Sequence, residues 1–291
     1  MNLETGEIIR QIYEGETVIV KQKYRGKEEA DAFFFNPSTE FIKLWDCIVP
    51  ALTDIKLSGA EMAVLLCMAA HTEYDSFVVV HPSGRHLNST DLMAETSLSE
   101  NTVKSAVLKL KDKSLIAISL FGKAYTYIMN PYVFGKGHDC NSTLARMFQN
   151  TPIKIIYDAN RRIQVPEDTE KISFGKNANF VKLWVRALNR IANIRLSGAD
   201  YAALFIMMHK ARYDTGAIMH DNGKALTQLQ LATLCGVTPR KLRDSIAVLK
   251  KHGIVAEKDN TLYINPFVAA RGEKVNQELI DLFPDNVYRE D

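Results

Sequence analysis

The chain has 291 residues, 46% of them hydrophobic, with 36 Lys and Arg against 34 Asp and Glu. Its longest apolar stretch, Ala60 to Ala70, is too short to span a bilayer, and Met1 to Ile12 carries Glu4 and Glu7 with no signal-peptide core. These features lead us to expect a soluble cytoplasmic protein, neither membrane-spanning nor secreted, with room for two domains of ordinary size, each with its own core.

The first pattern along the chain is a repeat. Phe41-Ile42-Lys43-Leu44-Trp45 returns as Phe180-Val181-Lys182-Leu183-Trp184, and Ile55-Lys56-Leu57-Ser58-Gly59-Ala60-Glu61 returns as Ile194-Arg195-Leu196-Ser197-Gly198-Ala199-Asp200, both 139 residues later. The offset persists through Leu87/Leu226, Leu92/Leu231 and Leu110/Leu249, then becomes 135 at Asn130-Pro131/Asn265-Pro266 and Gly137/Gly272. An internal duplication follows, with four residues lost where a hairpin is expected.

In the first copy, Phe41, Leu44, Trp45, Ile48 and Leu52 recur at helical spacing and predict one amphipathic helix. Ser58 with Glu61 forms a capping-box pattern ahead of a second helix, repeated by Ser197 and Asp200. Phe77 to Val80 reads as a short strand, matched by Ala217 to Met219. Asn88 or Ser89 then opens a short helix, Thr96-Ser97-Leu98 turns, and Ser99 caps a helix running to about Lys113. In the second copy Thr227 opens the first of these helices, Cys235-Gly236-Val237 turns, and Thr238-Pro239 starts the second. Hairpins follow at Ile116 to Leu120 with Tyr125 to Met129, and at Ile254 to Glu257 with Thr261 to Ile264. Helix, three-residue turn, helix and hairpin predict a winged helix. The expected fold is mainly α with small β-hairpins (α+β): two tandem winged-helix domains. The first, residues 1–137, has an N-terminal extension. Residues 138–153 form a linker helix, 154–272 the second, basic domain, and 273–291 an acidic C-terminal helix or tail.

Charge separates the copies. Residues 1–153 hold 15 Lys and Arg against 18 Asp and Glu, residues 154–272 hold 19 against 10, and residues 273–291 hold 2 against 6. A basic second copy between acidic flanks is the asymmetry expected if that copy grips phosphates most strongly. The start of the second helix in a helix-turn-helix enters the major groove. The second copy presents Thr238, Arg240, Lys241, Arg243 and Asp244 there. An arginine pairs with guanine, and an aspartate accepts from cytosine or steadies an arginine. The first copy offers Asn101, Thr102, Lys104, Ser105 and Lys109, behind a Glu100 of the wrong sign. Lys123 and Lys258 at the hairpin tips are candidate phosphate contacts. The partner expected from the residues is double-stranded DNA.

Catalytic signatures do not occur: there is no Gly-rich phosphate loop, HExxH or GxSxG. His81, His86, His138 and Cys140 read as loop and surface residues, and Cys47, Cys67, Cys140 and Cys235 lack CxxC spacing. The chain is expected to bind without chemistry of its own, with no cofactor and no metal. Trp45 and Trp184 are expected in the core. The tail positions Val275, Leu279, Leu282 and Phe283 are expected to dock within the chain, or alternatively to pair between chains in a homodimer or larger assembly on DNA.

Taken together, Thr5-Gly6-Glu7-Ile8-Ile9, Phe41-x-Lys43-Leu44-Trp45, Leu57-Ser58-Gly59 and Tyr127-Ile128-Met129-Asn130-Pro131-Tyr132-x-Phe134-x-Lys136-Gly137 resemble the winged-helix replication proteins of plasmids and phages from Gram-positive bacteria. Members of that group are usually single-copy, and in its duplication the chain is similar instead to the paired winged helices of iteron-binding plasmid initiators. The resemblance implies binding to origin repeats and recruitment of host replication proteins. A transcriptional regulator or a partition (centromere-binding) adaptor uses the same domain, and an interaction module with one winged helix on a protein partner is the third reading.

Overall fold

Each half contains the same order of elements, and the residues that pair the halves belong to the repeated motif itself. The computed structural model describes residues 32–36, 38–121, 124–137, 139–148, 171–173, 179–284 and 286–289. The first half runs β1 (Ala32–Phe34), β2 (Phe41–Trp45), a 3-10 turn (Asp46–Ile48), α1 (Val49–Asp54), α2 (Gly59–Ala70), α3 (Ser89–Thr96) and α4 (Glu100–Asp112). It continues through β3 (Ile116–Phe121), β4 (Ala124–Met129), β5 (Phe134–Gly135), β6 (Asp139–Asn141) and α5 (Ser142–Met147). The second runs β7 (Lys171–Ser173), β8 (Phe180–Trp184), α6 (Val185–Asn193), α7 (Gly198–Lys210), α8 (Gln228–Leu234) and α9 (Pro239–Lys251). It ends with β9 (Val255–Lys258), β10 (Thr261–Ile264), β11 (Ala269–Ala270), β12 (Lys274–Asn276) and α10 (Gln277–Asp281). The fold is mixed α/β, of the α+β kind, with more sheet than hairpins alone provide.

The single helix expected over Phe41 to Leu52 is instead a strand, a 3-10 turn and a short helix. Ile42 and Leu44 alternate inward while Phe41 and Lys43 are half-buried, which is the period of a pleated strand. Pro50 lacks an N–H and stands in the first turn of α1, so it starts a helix and could not lie inside one.

Strand β2 pairs antiparallel with β8 in the register Phe41↔Trp184, Lys43↔Lys182 and Trp45↔Phe180. Each strand also pairs with a short strand of its own half, giving the order β11-β8-β2-β5. Outside this sheet the halves exchange ends: Phe35 donates its N–H to Glu273 O at 3.2 Å beside β12, and β7 pairs with β6. The helices cross in the same sense. α6 of the second half packs on α2 and α3 of the first, while α1 of the first packs on α7 of the second. The halves therefore share one apolar core, in place of the separate cores expected of tandem domains, and the described residues from Phe33 onward form one compact unit. At the crossing, a Cβ on Gly59 would stand 2.1 Å from Leu196 O and one on Gly198 would stand 2.3 Å from Leu57 O, so both turns need glycine for backbone contact.

The repeated Asn-Pro motif has a structural job. Asn130 Nδ2 donates to Ser114 O at 2.8 Å while its Oδ1 accepts from Tyr132 N at 2.9 Å, and Asn265 repeats both bonds with Gly253 O and Phe267 N. Next door, Trp45 Nε1 donates to Pro131 O at 3.0 Å and Trp184 Nε1 to Pro266 O at 2.7 Å. Both indoles are core residues, as their apolar neighbours predict. The tail docks inside the chain: Val275, Leu279, Phe283 and Tyr288 are buried, Asn286 exchanges two amide bonds with Asn265 at 3.1 Å, and Tyr288 Oη donates to His252 O at 3.0 Å.

One charged cluster also ties the halves. Arg271 grips Asp46 with both terminal nitrogens and donates to His209 O at 2.7 Å, and His209 Nδ1 lies 3.2 Å from Asp46 Oδ1. Burial pushes the Asp46 carboxyl up, but the hydrogen bonds from His209 and Arg271 outweigh it and hold it below the ordinary range. Among the described residues no helix is long and apolar enough to cross a membrane.

Two outcomes follow. Residues 1–150 and 151–291 produced separately should each lack a cooperative unfolding transition, because each has lost the helix and strand that the other half supplies, and mixing them should restore it; circular dichroism melts measure both. Asp46→Asn should cost about 3–5 kcal/mol in denaturant unfolding, since it leaves the Arg271 guanidinium buried without its charge partner. Asp46 ionises lower in the fold than in the unfolded chain. Its contribution is therefore full above the unfolded carboxyl value of about 4 and fades as pH falls through the folded value, so the variant should show a flatter acid limb.

Candidate nucleic-acid interface

Helix α9 is built to show one polar face. Thr238 accepts from Lys241 N at 3.2 Å, Pro239 occupies the first helical position, and Leu242, Ser245, Ile246 and Leu249 point into the core. That leaves Thr238, Arg240, Arg243 and Asp244 exposed. Among the described residues neither Arg240 nor Arg243 is held by an ion pair, and Asp244 pairs with neither arginine.

Lys241 is placed differently from its neighbours. Its Nζ lies 3.6 Å from Asp200 Oδ1, the same oxygen that accepts from Ser245 Oγ at 2.6 Å. Asp200 also closes the Ser197 capping box of α7, accepting from Ser197 N at 2.7 Å. Burial raises the Asp200 carboxyl, and the hydrogen bonds from Ser245 and Ser197, with the Lys241 charge, bring it below the usual range. Asp200 was legible as a cap. That it also anchors α9 through Lys241 and Ser245 was not, because both partners lie more than 40 residues away.

Helix α4 has the same frame, with Lys104 and Lys109 engaged. Ser99 Oγ caps Thr102 N at 3.4 Å, and Asn101, Lys104, Ser105 and Lys109 are exposed while Thr102 is half-buried. Asn101, Thr102, Ser105 and Lys109 line one open groove of about 310 Å³ against Ser58 and Glu61. Lys104 pairs with Glu100 one turn earlier at 2.6 Å. Lys113 and Lys109 both reach Glu61, at 2.7 and 3.6 Å. Glu61 occupies the place of Asp200, and its carboxyl is raised by burial but lowered further by Lys113, the Ser58 amide and Lys109. The difference in net charge between the copies thus becomes sharper at the surface: among the described residues α9 displays Arg240 and Arg243 outside any ion pair, whereas Lys104 and Lys109 of α4 are paired.

The hairpins complete each unit. β9 and β10 turn through Asp259 and Asn260, both in the left-handed region at φ 50° and 58°, as a two-residue type I′ turn requires. Lys258 is exposed at this tip. Lys123 lies outside the described residues, as does His138. Ala217 to Met219 bridges to Tyr263, and Val78 bridges to Ile128, so each expected short strand adds an edge to its hairpin by isolated bridges. Of the other histidines, His86 Nδ1 meets Thr126 Oγ1 at 2.6 Å and His81 Nδ1 meets Ser83 Oγ at 2.8 Å, both serving loops. Cys67, Cys140 and Cys235 are buried, and burial pushes each thiol up to about 12; Cys47 is exposed.

Asp91 closes the Asn88 capping box at the start of α3 and receives Arg85 through two bonds of 2.6 Å, which hold its carboxyl at about 2. Its pKa is depressed in the fold, so its contribution is present above the unfolded value of about 4 and is lost as pH falls toward about 2. Arg85→Ala should therefore raise the Asp91 pKa toward the ordinary carboxylate range; side-chain carboxyl NMR titration measures it, and an unshifted Asp91 counts against the pair. No family model matches the chain, and neither a curated protein nor a solved structure does.

Proposed function

We propose that the two halves act as winged helices in one DNA-binding unit, and that the protein is a sequence-specific binder of double-stranded DNA serving as a plasmid or phage replication initiator. The observation that carries the DNA reading is α9. It presents Arg240 and Arg243 exposed and free of ion pairs among the described residues, at the start of a helix that Thr238 caps and Pro239 opens. Exposed cations left unpaired at a helix-turn-helix are poised for phosphates and guanine edges. The initiator role rests on the motif resemblance, and it brings with it origin repeats and host replication proteins as partners. A promoter or partition site would use the same contacts, and mapping the bound site on the parent replicon separates these roles.

A second reading applies to the first half, where one observation favours a protein contact. With Lys104 and Lys109 engaged by Glu100 and Glu61, that half also exposes Leu108 at 57%, Leu120 at 63% and Tyr125 at 66%. Leu120 and Tyr125 are cross-strand partners in its hairpin, so an apolar pair sits where the other half has the polar turn residues Asp259 and Asn260. The first half would then combine weak DNA contact with recruitment.

Arg240→Ala and Arg243→Ala should each weaken binding to a cognate duplex by about 1–3 kcal/mol and relax base preference. Lys241→Ala should cost less in affinity and more in stability, because its Nζ already serves Asp200. Fluorescence anisotropy beside thermal melts separates the two effects. Undiminished affinity in a folded Arg240→Ala/Arg243→Ala double variant removes α9 as the reader.

A further inference from the structure

The register of β2 on β8 is centred on Lys43↔Lys182, two residues that occupy the same place in the repeat. A register centred on equivalent residues places a local two-fold axis through that pair. The second reciprocal contact, Gly59 on Leu196 O and Gly198 on Leu57 O, places the same axis between the two Leu-Ser-Gly turns. One turn into the helices that start there, Glu61 holds α4 through Lys109 and Lys113, and Asp200 holds α9 through Lys241 and Ser245. Both candidate reading helices are therefore hung from the ends of α2 and α7 nearest the axis, at one end of it.

Lys56 and Arg195 immediately precede the touching turns and are equivalent to one another. Both are exposed, and among the described residues neither is held by an ion pair. Lys56, and on the other side the segment just before Arg195, stand beside the turn that opens the other half's candidate reading helix. Lys56 shares a groove with Gly236 and Val237 of the α8–α9 turn. On the opposite side Asn193, two residues before Arg195, meets Ser97 Oγ of the α3–α4 turn at 3.0 Å. Lys56 follows the C-cap of α1 in the left-handed region at φ 47°, a common way for a helix to end, and Arg195 does not share that conformation.

Resting on the DNA reading above, we infer that the duplex lies across this axis, that Lys56 and Arg195 grip phosphates at the centre of the site, and that the site is an imperfect inverted repeat. A two-fold protein matches the dyad of B-form DNA only when its half-sites run in opposite directions. The halves of the site are unequal because one reader offers Arg240 and Arg243 where the other offers Asn101 and Lys104. Direct repeats inside one bound site are incompatible with this arrangement.

The test uses the full chain and a pool of duplexes with a randomised centre, selected on the protein and sequenced. The enriched site should be an inverted repeat with one half more strongly specified. The Lys56→Asn/Arg195→Gln variant, with asparagine chosen because it tolerates positive φ, should keep the selected sequence and the melting temperature. It should lose about tenfold in affinity near 0.1 M salt, and its plot of log K against log salt should be shallower by about 2, for two phosphates released. Lys56→Arg/Arg195→Lys should restore both. An enriched direct repeat or single half-site, or an unchanged salt slope in the folded variant, overturns the inference even where Arg240→Ala/Arg243→Ala weakens binding. Failure of the wild-type chain to retain any duplex from the pool overturns the DNA reading with it.

Discussion

Everything in this molecule is arranged around the antiparallel contact of Phe41–Trp45 with Phe180–Trp184, and that contact sets two lysines face to face. Like charges opposite one another on a sheet oppose pairing. Burial lowers the pKa of both Lys43 and Lys182, and their mutual repulsion adds to it at Lys43. Aromatic rings resolve the conflict. Lys43 Nζ lies 5.1 Å from the Phe180 ring centre and Lys182 Nζ lies 5.0 Å from that of Phe41, so each cation sits over a ring of the opposite strand. The rings hold one another in turn: Phe41 stacks on Phe180, with Trp184 edge-on to Phe41 and Trp45 edge-on to Phe180. The Lys43 ammonium also donates to Gly137 O at 2.6 Å. The strand pair closes because the same five residues, used twice, answer their own repulsion.

From that pairing the crossed helices follow. A strand in the shared sheet delivers α1 toward the second half and α6 toward the first, and each then covers apolar surface that its own half leaves open. Glycine is indispensable where α2 and α7 begin, because their first turns touch through backbone. The consequence for binding is rigidity. Two modules on a flexible linker surrender conformational freedom when both engage, whereas two modules locked through a common core have already met that cost in folding. The separation and orientation of α4 and α9 are thus properties of the fold, and any ligand that touches both must match them.

Much of each half was legible because its signals are local. Ser58 with Glu61 and Ser197 with Asp200 form the capping boxes that their spacing announces, and Ser99 and Thr238 cap the helices that follow. The hairpins fall within a residue or so of their expected limits, since their turns and alternation lie within a dozen positions. Phe41 to Leu52 was misleading for a physical reason: five apolar positions spaced to suit a helix also suit a short buried strand followed by a turn, and only Pro50 separates the two. The exchange of elements between halves left no local trace at all. The central partners Lys43 and Lys182 stand 139 residues apart, and a repeat in sequence is equally consistent with two separate bodies or one joined body. Of the candidate contacts, Arg240 and Arg243 emerged exposed as the helix period demands, while Lys241, Lys104 and Lys109 acquired acidic partners that could be recognised only once the helices were packed.

The two copies have diverged most where symmetry is not needed. Asp46 stands where the second copy has Val185, and Arg271 stands where the first has Lys136, so the buried pair of Asp46 with Arg271 ties one side of the axis only. On the other side Lys136 lies over the Tyr74 ring, as Arg271 lies over Tyr213, and reaches Glu40 at 3.7 Å. The stronger tie therefore runs from the first half's β2 turn to the end of the second half's β11, next to the docked tail. The half that supplies Arg271 is also the one whose α9 shows Arg240 and Arg243 exposed and, among the described residues, outside any ion pair. In the first half, α4 holds Lys104 and Lys109 against Glu100 and Glu61, and the surface around it exposes Leu108, Leu120 and Tyr125.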